Sequence, residues 1–490
     1  MGVVPRMSSG MRRACFMGAV LILAAADATA SWRGTAGVRT SAIFTDNLFL
    51  TTDDTESGSV LRVRPYIASS RDGNRVEARF NYGPSVVFYP GQSDLNDIRH
   101  TLSARLDSEL IERYFFLDIR ANANQVLINP RGNAGFDPIA NPDAFTQQAS
   151  IRIIPRINVP VMDGRFATVR IQPGVGYDFT ASTADDGDGL RTPTRDTRVR
   201  VTSGPMFTTV PWSLNWRRRL FDADTDQGFG ELYARVGYIF SPRYRLDVIL
   251  GYDESTDAFR GSGGETSGSR WETIFRWTPN TRARFAFGFG ERYFGNVYRF
   301  DGNYRHKRWV FRSRYRVSIQ SAATALQEQQ VVPIRDLFGN PIRDPFDTEE
   351  VLTATVTTPV LIDDTFRRER FDFQSLYRKG RNTASARWFV TRREYDQSDL
   401  DTLDNQFQFR YSRQLSRRLT ASAVLNLWDH SEENDAAFDY FQESLDLRVS
   451  YRLGPKARLG ARIGRVNRDA ELDAADFSEN RLSMDFSVRF

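Results

Sequence analysis

Along most of this chain, apolar and polar residues alternate with a period of two. The segment Asn480–Phe490 shows it most cleanly. Leu482, Met484, Phe486, Val488 and Phe490 fall on one face, and Arg481, Ser483, Asp485, Ser487 and Arg489 on the other. Such alternation predicts a strand, here with one wholly apolar face. The pattern recurs throughout. Val76–Tyr89 reads as one strand, with Val76, Ala78, Phe80, Tyr82, Val86 and Phe88 on its apolar face. Leu246, Val248, Leu250 and Tyr252 alternate with Arg245, Asp247 and Asp253. Tyr315, Val317 and Ile319 oppose Arg314, Arg316 and Ser318, and Leu445, Leu447, Val449 and Tyr451 oppose Asp446, Arg448, Ser450 and Arg452.

The connections alternate as well. Short turns are predicted near Asp72-Gly73, Ile111-Glu112, Asp163-Gly164, Ser241-Pro242, Pro279-Asn280, Lys307-Arg308, Lys379-Gly380, Ser416-Arg417 and Gly454-Pro455. Between them lie longer polar stretches, near 46–58, 127–147, 181–194, 218–228, 255–267, 321–365, 396–403, 431–439 and 468–477. Hairpins with short turns at one end and long loops at the other are the signature of a transmembrane barrel. The expectation is therefore an all-β fold: an antiparallel outer-membrane β-barrel of about 20–22 strands, without a plug domain. Thr197–Asn215 is the least regular part. A charge on the lipid face near mid-membrane costs about 2–4 kcal/mol, so the recurring Arg and Asp rows are expected to face the lumen. Trp212, Trp216, Trp271, Trp277, Trp309 and Trp388 suit interfacial girdles.

Composition fits this picture. The chain has 490 residues, 40% hydrophobic and 26% charged. A membrane helix needs roughly 18–20 consecutive apolar residues, and no run reaches that. Arg6, Arg12 and Arg13 precede an apolar run from Ala14 to Ala26, and Ala28-Thr29-Ala30 follows it. This predicts a signal peptide over 1–30 and a barrel over 31–490. Cys15, the only cysteine, lies in the signal segment, so no disulfide is expected in the remainder. The net charge of +5 falls to +3 when three Arg and Asp27 leave with that segment. Such a charge gives no reason to expect nucleic acid. Three of the 66 basic residues are lysine, Lys307, Lys379 and Lys456, which a GC-rich genome would explain.

No catalytic constellation is evident. His100, His306 and His430 each sit beside charged residues at predicted strand ends and are expected to be solvated. No Ser or Cys nucleophile motif accompanies them, so the chain is not expected to be an enzyme. The acidic runs Asp222–Asp226 and Asp185–Asp188 could offer oxygen ligands to calcium, but the first has its glycine one place late for an EF-hand loop and Tyr233 at position twelve. Solvated acid is the plainer reading, and no metal or cofactor is expected. The lumenal rows are the better candidates: Arg245, Asp247, Arg312, Arg314, Arg316, Arg448, Arg452, Arg458 and Arg462. They would either stiffen the wall as ion pairs or engage carboxylates and hydroxyls of a passing substrate. Loop 321–365 is a candidate constriction. Phe486, Val488 and Phe490 read as a barrel-assembly signal, which makes the assembly machinery and outer-membrane lipid partners.

Specific words also appear. They are Phe44-Thr45-Asp46-Asn47-Leu48-Phe49-Leu50, then Ser203-Gly204-Pro205 leading to Val210-Pro211-Trp212-Ser213-Leu214-Asn215-Trp216-Arg217-Arg218-Arg219. Trp277-Thr278-Pro279-Asn280-Thr281-Arg282 and Gly290-Glu291-Arg292-Tyr293-Phe294-Gly295 follow. In order and spacing these resemble the outer-membrane β-barrel family associated with the PEP-CTERM/exosortase system, itself similar to the β-barrel porin class. The resemblance covers about residues 33–490 and supplies no catalytic residues. It implies a Gram-negative bacterial setting devoted to exopolysaccharide, with periplasmic polysaccharide-export proteins and exopolysaccharide as partners. The expected function is a porin-like conduit linked to exopolysaccharide export or biosynthesis. A general small-solute diffusion porin and a non-conducting scaffold or polysaccharide-binding protein are the alternatives.

Overall fold

The computed structural model describes residues 32–127, 133–180, 191–221, 228–256, 265–321, 332–333, 353–354, 365–395 and 401–490. Period-two sequence becomes strand along the described chain, with one predicted strand interrupted. The strands are β1 (Arg33–Thr45), β2 (Gly58–Asp72), β3 (Val76–Tyr82 continued by Ser85–Phe88), β4 (Asp97–Arg99 continued by Leu102–Ile111), β5 (Phe115–Leu127), β6 (Phe145–Val161) and β7 (Ala167–Thr180). Then come β8 (Arg191–Ser203), β9 (Trp212–Phe221), β10 (Gly228–Ser241), β11 (Tyr244–Ser255), β12 (Ser267–Asn280), β13 (Ala283–Arg292), β14 (Gly295–His306) and β15 (Trp309–Ser321). The last are β16 (Thr365–Lys379), β17 (Asn382–Tyr395), β18 (Thr402–Gln414), β19 (Leu419–Glu432), β20 (Tyr440–Arg452), β21 (Ala457–Ala470) and β22 (Phe477–Arg489).

Each strand pairs antiparallel with its neighbours in sequence. β22 closes on β1 from Gly37 opposite Arg489 to Thr45 opposite Arg481. The sheet has 24 hydrogen-bonded segments, and two strands are each interrupted once, which leaves 22 strands in a closed barrel. Closure leaves no unpaired edge, as a strand fold in lipid requires. Among the described residues no helix is long and apolar enough to cross a membrane, so any crossing is made by strands.

The expected single strand Val76–Tyr89 is interrupted at Gly83-Pro84. Pro84 has no N–H for the ladder, and a Cβ on Gly83 would meet Arg64 Nε at 2.9 Å. The irregular stretch Thr197–Asn215 is the end of β8, a short 3₁₀ turn at Pro205–Phe207, and the start of β9. Phe166, Phe207 and Trp212 pack edge-to-face in that turn. The turn–loop asymmetry has two exceptions. At the short-turn end the β8–β9 connection, 204–211, is longer than the 471–476 connection at the other end. β13 and β14 meet in a tight turn at the long-loop end, with Gly295 at φ +107°, where a side chain is strained.

The two faces of the wall differ as the alternation requires. Phe44, Leu61, Leu250, Leu445, Leu447, Ile463, Met484 and Phe486 stand exposed on the outside. Trp212 and Trp309 begin strands and Trp277 lies near the end of its strand, whereas Trp388 lies mid-strand in β17, contrary to a place at the strand end. Two packed apolar clusters sit in the mouth at the long-loop end, and another, Val76, Ala78 and Leu106, lies in the wall near the short-turn end. Ile43, Leu48, Val60, Val87, Tyr89 and Ile139 form one cluster, and Leu50, Ala140, Val466 and Phe477 another.

Candidate functional site

The inward polar face builds the site, because side chains at i and i+2 share a face. On β22 the inward positions are Phe477, Glu479, Arg481, Ser483, Asp485 and Ser487. On β21 they include Arg458, Gly460, Arg462, Gly464, Val466 and Arg468. Apart from Val466 and Phe477, which join the apolar cluster in the mouth, their polar members form a track along the wall.

Most predicted residues sit in ion-pair networks. Asp247 has no exposed surface. It accepts from Arg235 Nη2 at 2.7 Å, Arg245 Nε at 2.8 Å and Arg276 Nε at 2.8 Å. Three guanidiniums converge on one carboxylate, so Arg245 and Asp247 brace β10–β12. Arg314 donates to Asp301 at 3.0 Å and Arg316 at 3.4 Å, and both stay about half exposed. Arg312 donates to Asn303 at 3.1 Å. Arg462 pairs with Asp446. Arg448, Arg452 and Arg458 gather near the short-turn end. Phe486 and Val488 face outward on β22, and the Phe490 N–H donates to Ala36 O at 2.7 Å.

The 133–144 segment was not singled out from sequence. It leaves β5, crosses the mouth inside the barrel and docks on β20–β22. Asp137 accepts from Arg481 Nη1 at 2.6 Å and lies 3.6 Å from Arg62 Nη1. Arg481 also donates to Glu479, which takes a hydrogen bond from Thr45 at 2.8 Å. Phe136 lies under two guanidiniums, Arg462 at 5.0 Å and Arg481 at 5.3 Å. The wall makes room for it: a Cβ on Gly464 would strike the Phe136 ring at 2.5 Å. Arg468 donates to Asn133, and Gln442 to the Ala134 carbonyl at 3.3 Å. The 46–50 segment packs alongside, with Asn141 N–H donating to Leu48 O at 2.8 Å.

Burial pushes the Asp137 carboxyl up, but Arg481 and Arg62 outweigh it and hold it well below the usual carboxylate range. The segment is thus pinned as an anion in a cationic socket. A signal for it did exist: Leu48-Phe49-Leu50 and Phe136, Ile139 and Ala140 are apolar residues in stretches that a solvated loop would fill with polar ones.

His430 corrects another expectation. It is 4% exposed and bonded through Nδ1 to Asp404 at 2.9 Å, with Arg393 on the same carboxylate at 2.5 Å. It is a buried network member, not a solvated strand end. Among the described residues no group of three or more His, Cys, Asp or Glu is placed to hold a metal. The signal segment 1–30, the acidic runs Asp185–Asp188 and Asp222–Asp226, and nearly all of loop 321–365 lie outside the described residues. Within that loop only the pairing of Val332–Pro333 with Thr353–Ala354 is described.

No protein-family model and no curated protein matches this chain. Solved structures do resemble it. The FrpB iron transporter of Neisseria meningitidis, as the apoprotein of its F5-1 variant, has a TM-score of 0.53 at 10% identity, with 93% of this chain and 81% of that chain covered. The siderophore receptor PirA of Acinetobacter baumannii has 0.50 at 8% identity, with 94% and 81% covered. A loop-deletion form of OmpT, an outer membrane protein of Vibrio cholerae, has 0.36 at 8% identity, too low to carry an argument. At these identities the likeness is one of fold alone. With the closed 22-strand ladder and the apolar outer face, it makes this chain an outer-membrane β-barrel.

Proposed function

We propose that the barrel is a porin-like conduit, without a plug domain, that passes a hydrophilic polymer linked to exopolysaccharide export. The observation that carries it is the polar track. Ser487, Asp485, Ser483, Arg481 and Glu479 on β22 run from one end of the wall to the other. Ser487 and Asp485 offer hydrogen bonds to a saccharide chain, whereas Ser483, Arg481 and Glu479 are buried, the last two beside the docked 133–144 segment at the mouth. The resemblance noted in sequence supplies the exopolysaccharide and the periplasmic export proteins as partners. The barrel-assembly machinery is the partner for Phe486, Val488 and Phe490. Removing Phe490 is expected to lower the inserted fraction in cells.

Purified protein in planar bilayers should conduct ions, and a strain lacking the chain should secrete less exopolysaccharide. A sealed barrel with undiminished secretion in that strain would overturn the reading. The docked 133–144 segment favours a second reading, a non-conducting scaffold that grips polymer at its mouth. The scaffold would retain polymer with no measurable conductance.

A further inference from the structure

Charge on this barrel is segregated by end. Ten connections join strands at the short-turn end, which in outer-membrane barrels faces the periplasm. Six of them follow one another around the rim, from β10–β11 to β20–β21: 242–243, 281–282, 307–308, 380–381, 415–418 and 453–456. They hold eight Lys or Arg and no Asp or Glu. The other four, 73–75, 112–114, 162–166 and 204–211, hold three Arg against Glu112 and Asp163. There Arg75 pairs with Glu112 at 3.0 Å, and 204–211 carries no charge. At the opposite end the loops 46–57, 433–439 and 471–476 together hold ten Asp or Glu and no Lys or Arg.

All eight cationic side chains of this arc are exposed, and among the described residues none of them meets a carboxylate. One-signed charge repels itself, so the arc costs the isolated barrel stability. A GC-rich genome explains why arginine outnumbers lysine. It does not explain six successive turns without an acid, nor why all three lysines, Lys307, Lys379 and Lys456, lie in or beside those turns. Neighbouring turns are two strands apart, about 10 Å, so the arc extends about 50 Å along the rim. That is the footprint of a folded protein and far more than a small anion needs. Anionic lipid also attracts Lys and Arg. Lipid surrounds a barrel on every side, however, and a bias set by it would run round the whole rim. This one ends where the uncharged 204–211 connection begins.

We propose that the arc is a docking surface for an acidic face of a periplasmic protein. A band of one sign facing a band of the other speeds encounter and fixes orientation. Because the cations occupy six of the ten turns, they seat the partner to one side of the barrel opening. The inference rests on the proposed conduit only in giving that partner a role in export. The surface stands if the barrel does not conduct.

The test has two arms. In the first, folded protein in nanodiscs of zwitterionic lipid is titrated with a polyglutamate peptide, the probe for an acidic protein face. Arg381→Glu/Arg417→Glu/Arg418→Glu/Lys456→Glu should weaken binding at least about tenfold, and raised salt should weaken it in the parent. Arg75→Glu/Arg113→Glu/Arg165→Glu on the mixed side of the rim should stay within about twofold of the parent. A retained shift between heated and unheated gel mobility confirms that each variant is folded. In the second arm, Lys379→benzoylphenylalanine is photolysed in cells. It should join the barrel to one periplasmic protein, identified by mass spectrometry as acidic, and the adduct should vanish in the fourfold variant. Asp163→benzoylphenylalanine should give no such adduct. Equal loss of probe binding in the two charge variants, or no protein adduct from position 379, overturns the docking surface. Binding to phosphatidylglycerol vesicles that only the fourfold variant loses, with no protein adduct, assigns the arc to lipid and overturns it as well. Bilayer recordings separate it from the conduit. A sealed barrel that forms the adduct sinks the conduit alone, and a conducting barrel without the adduct sinks the docking surface alone.

Discussion

Asp247 has no surface of its own, and Arg235, Arg245 and Arg276 all donate to it. Removing the carboxylate leaves three like charges facing one another across β10–β12. Breaking a buried pair costs about 3–5 kcal/mol; these arginines are partly wet, so Asp247→Ala should fall near the lower bound, about 3 kcal/mol. The temperature at which the folded gel band converts to the unfolded one should drop clearly. Asp247→Asn should recover part of the loss by keeping the acceptor oxygen. Gly464 makes a different kind of contribution. Its missing side chain is the space that Phe136 occupies. Gly464→Val should improve the strand locally yet expel the ring, so the barrel keeps its stability while 133–144 leaves the wall. Faster protease cleavage within 133–144 at unchanged heat stability is the expected pair of results. An unchanged cleavage rate would show that Phe136 does not hold the segment.

At the scale of elements, strands were legible and the inward loops were not. Period-two alternation marks a strand because one face meets an apolar medium and the other water, and β22 shows both in a single line of sequence. A loop has no such period. Which loop turns inward depends on partners far away in sequence: Arg481 and Arg468 lie more than 300 residues from the Asp137 and Asn133 they hold. The length of 321–365 drew attention to that stretch, but length carries no information about docking. The lumenal arginine rows were legible as a class. Which of them meet, such as Arg245 with Asp247 or Arg452 across from Arg458, depends on the register. The docked segment also has a defined pH response. Burial opposes ionisation of Asp137, but the Arg481 and Arg62 guanidiniums prevail and depress its pKa. A depressed folded-state pKa favours the docked form fully above the free carboxyl value of about 3.9 and loses its effect as pH falls below that, through the docked value. Protease protection of 133–144 should therefore stay level from about pH 8 to about pH 4.5 and decline only in stronger acid. A decline near neutrality would mean that another group holds the segment.

At the scale of the whole molecule, wall and mouth have separate jobs. The wall is continuous through 22 paired strands, and the ladder from β5 to β6 is complete without residues 133–144. The segment contributes contacts inside the mouth and no strand pairing to the barrel. Replacing 133–144 by a short Gly-Ser linker should therefore leave assembly intact. Barrels of about 16 or more strands usually enclose an aqueous channel, so a wall of this size is wide enough to conduct once its mouth is clear. If the barrel is a conduit, the replacement should raise single-channel conductance several-fold and admit larger neutral sugars in liposome swelling, because the obstruction is removed and the track along β22 remains. If it is a scaffold, the same change should cost polymer retention, since Phe136, Asp137 and their guanidinium partners form the gripping surface. Conductance that stays at zero after the replacement would place the seal elsewhere and reject the conduit. Unchanged conductance at a high initial level would show that 133–144 leaves the route open.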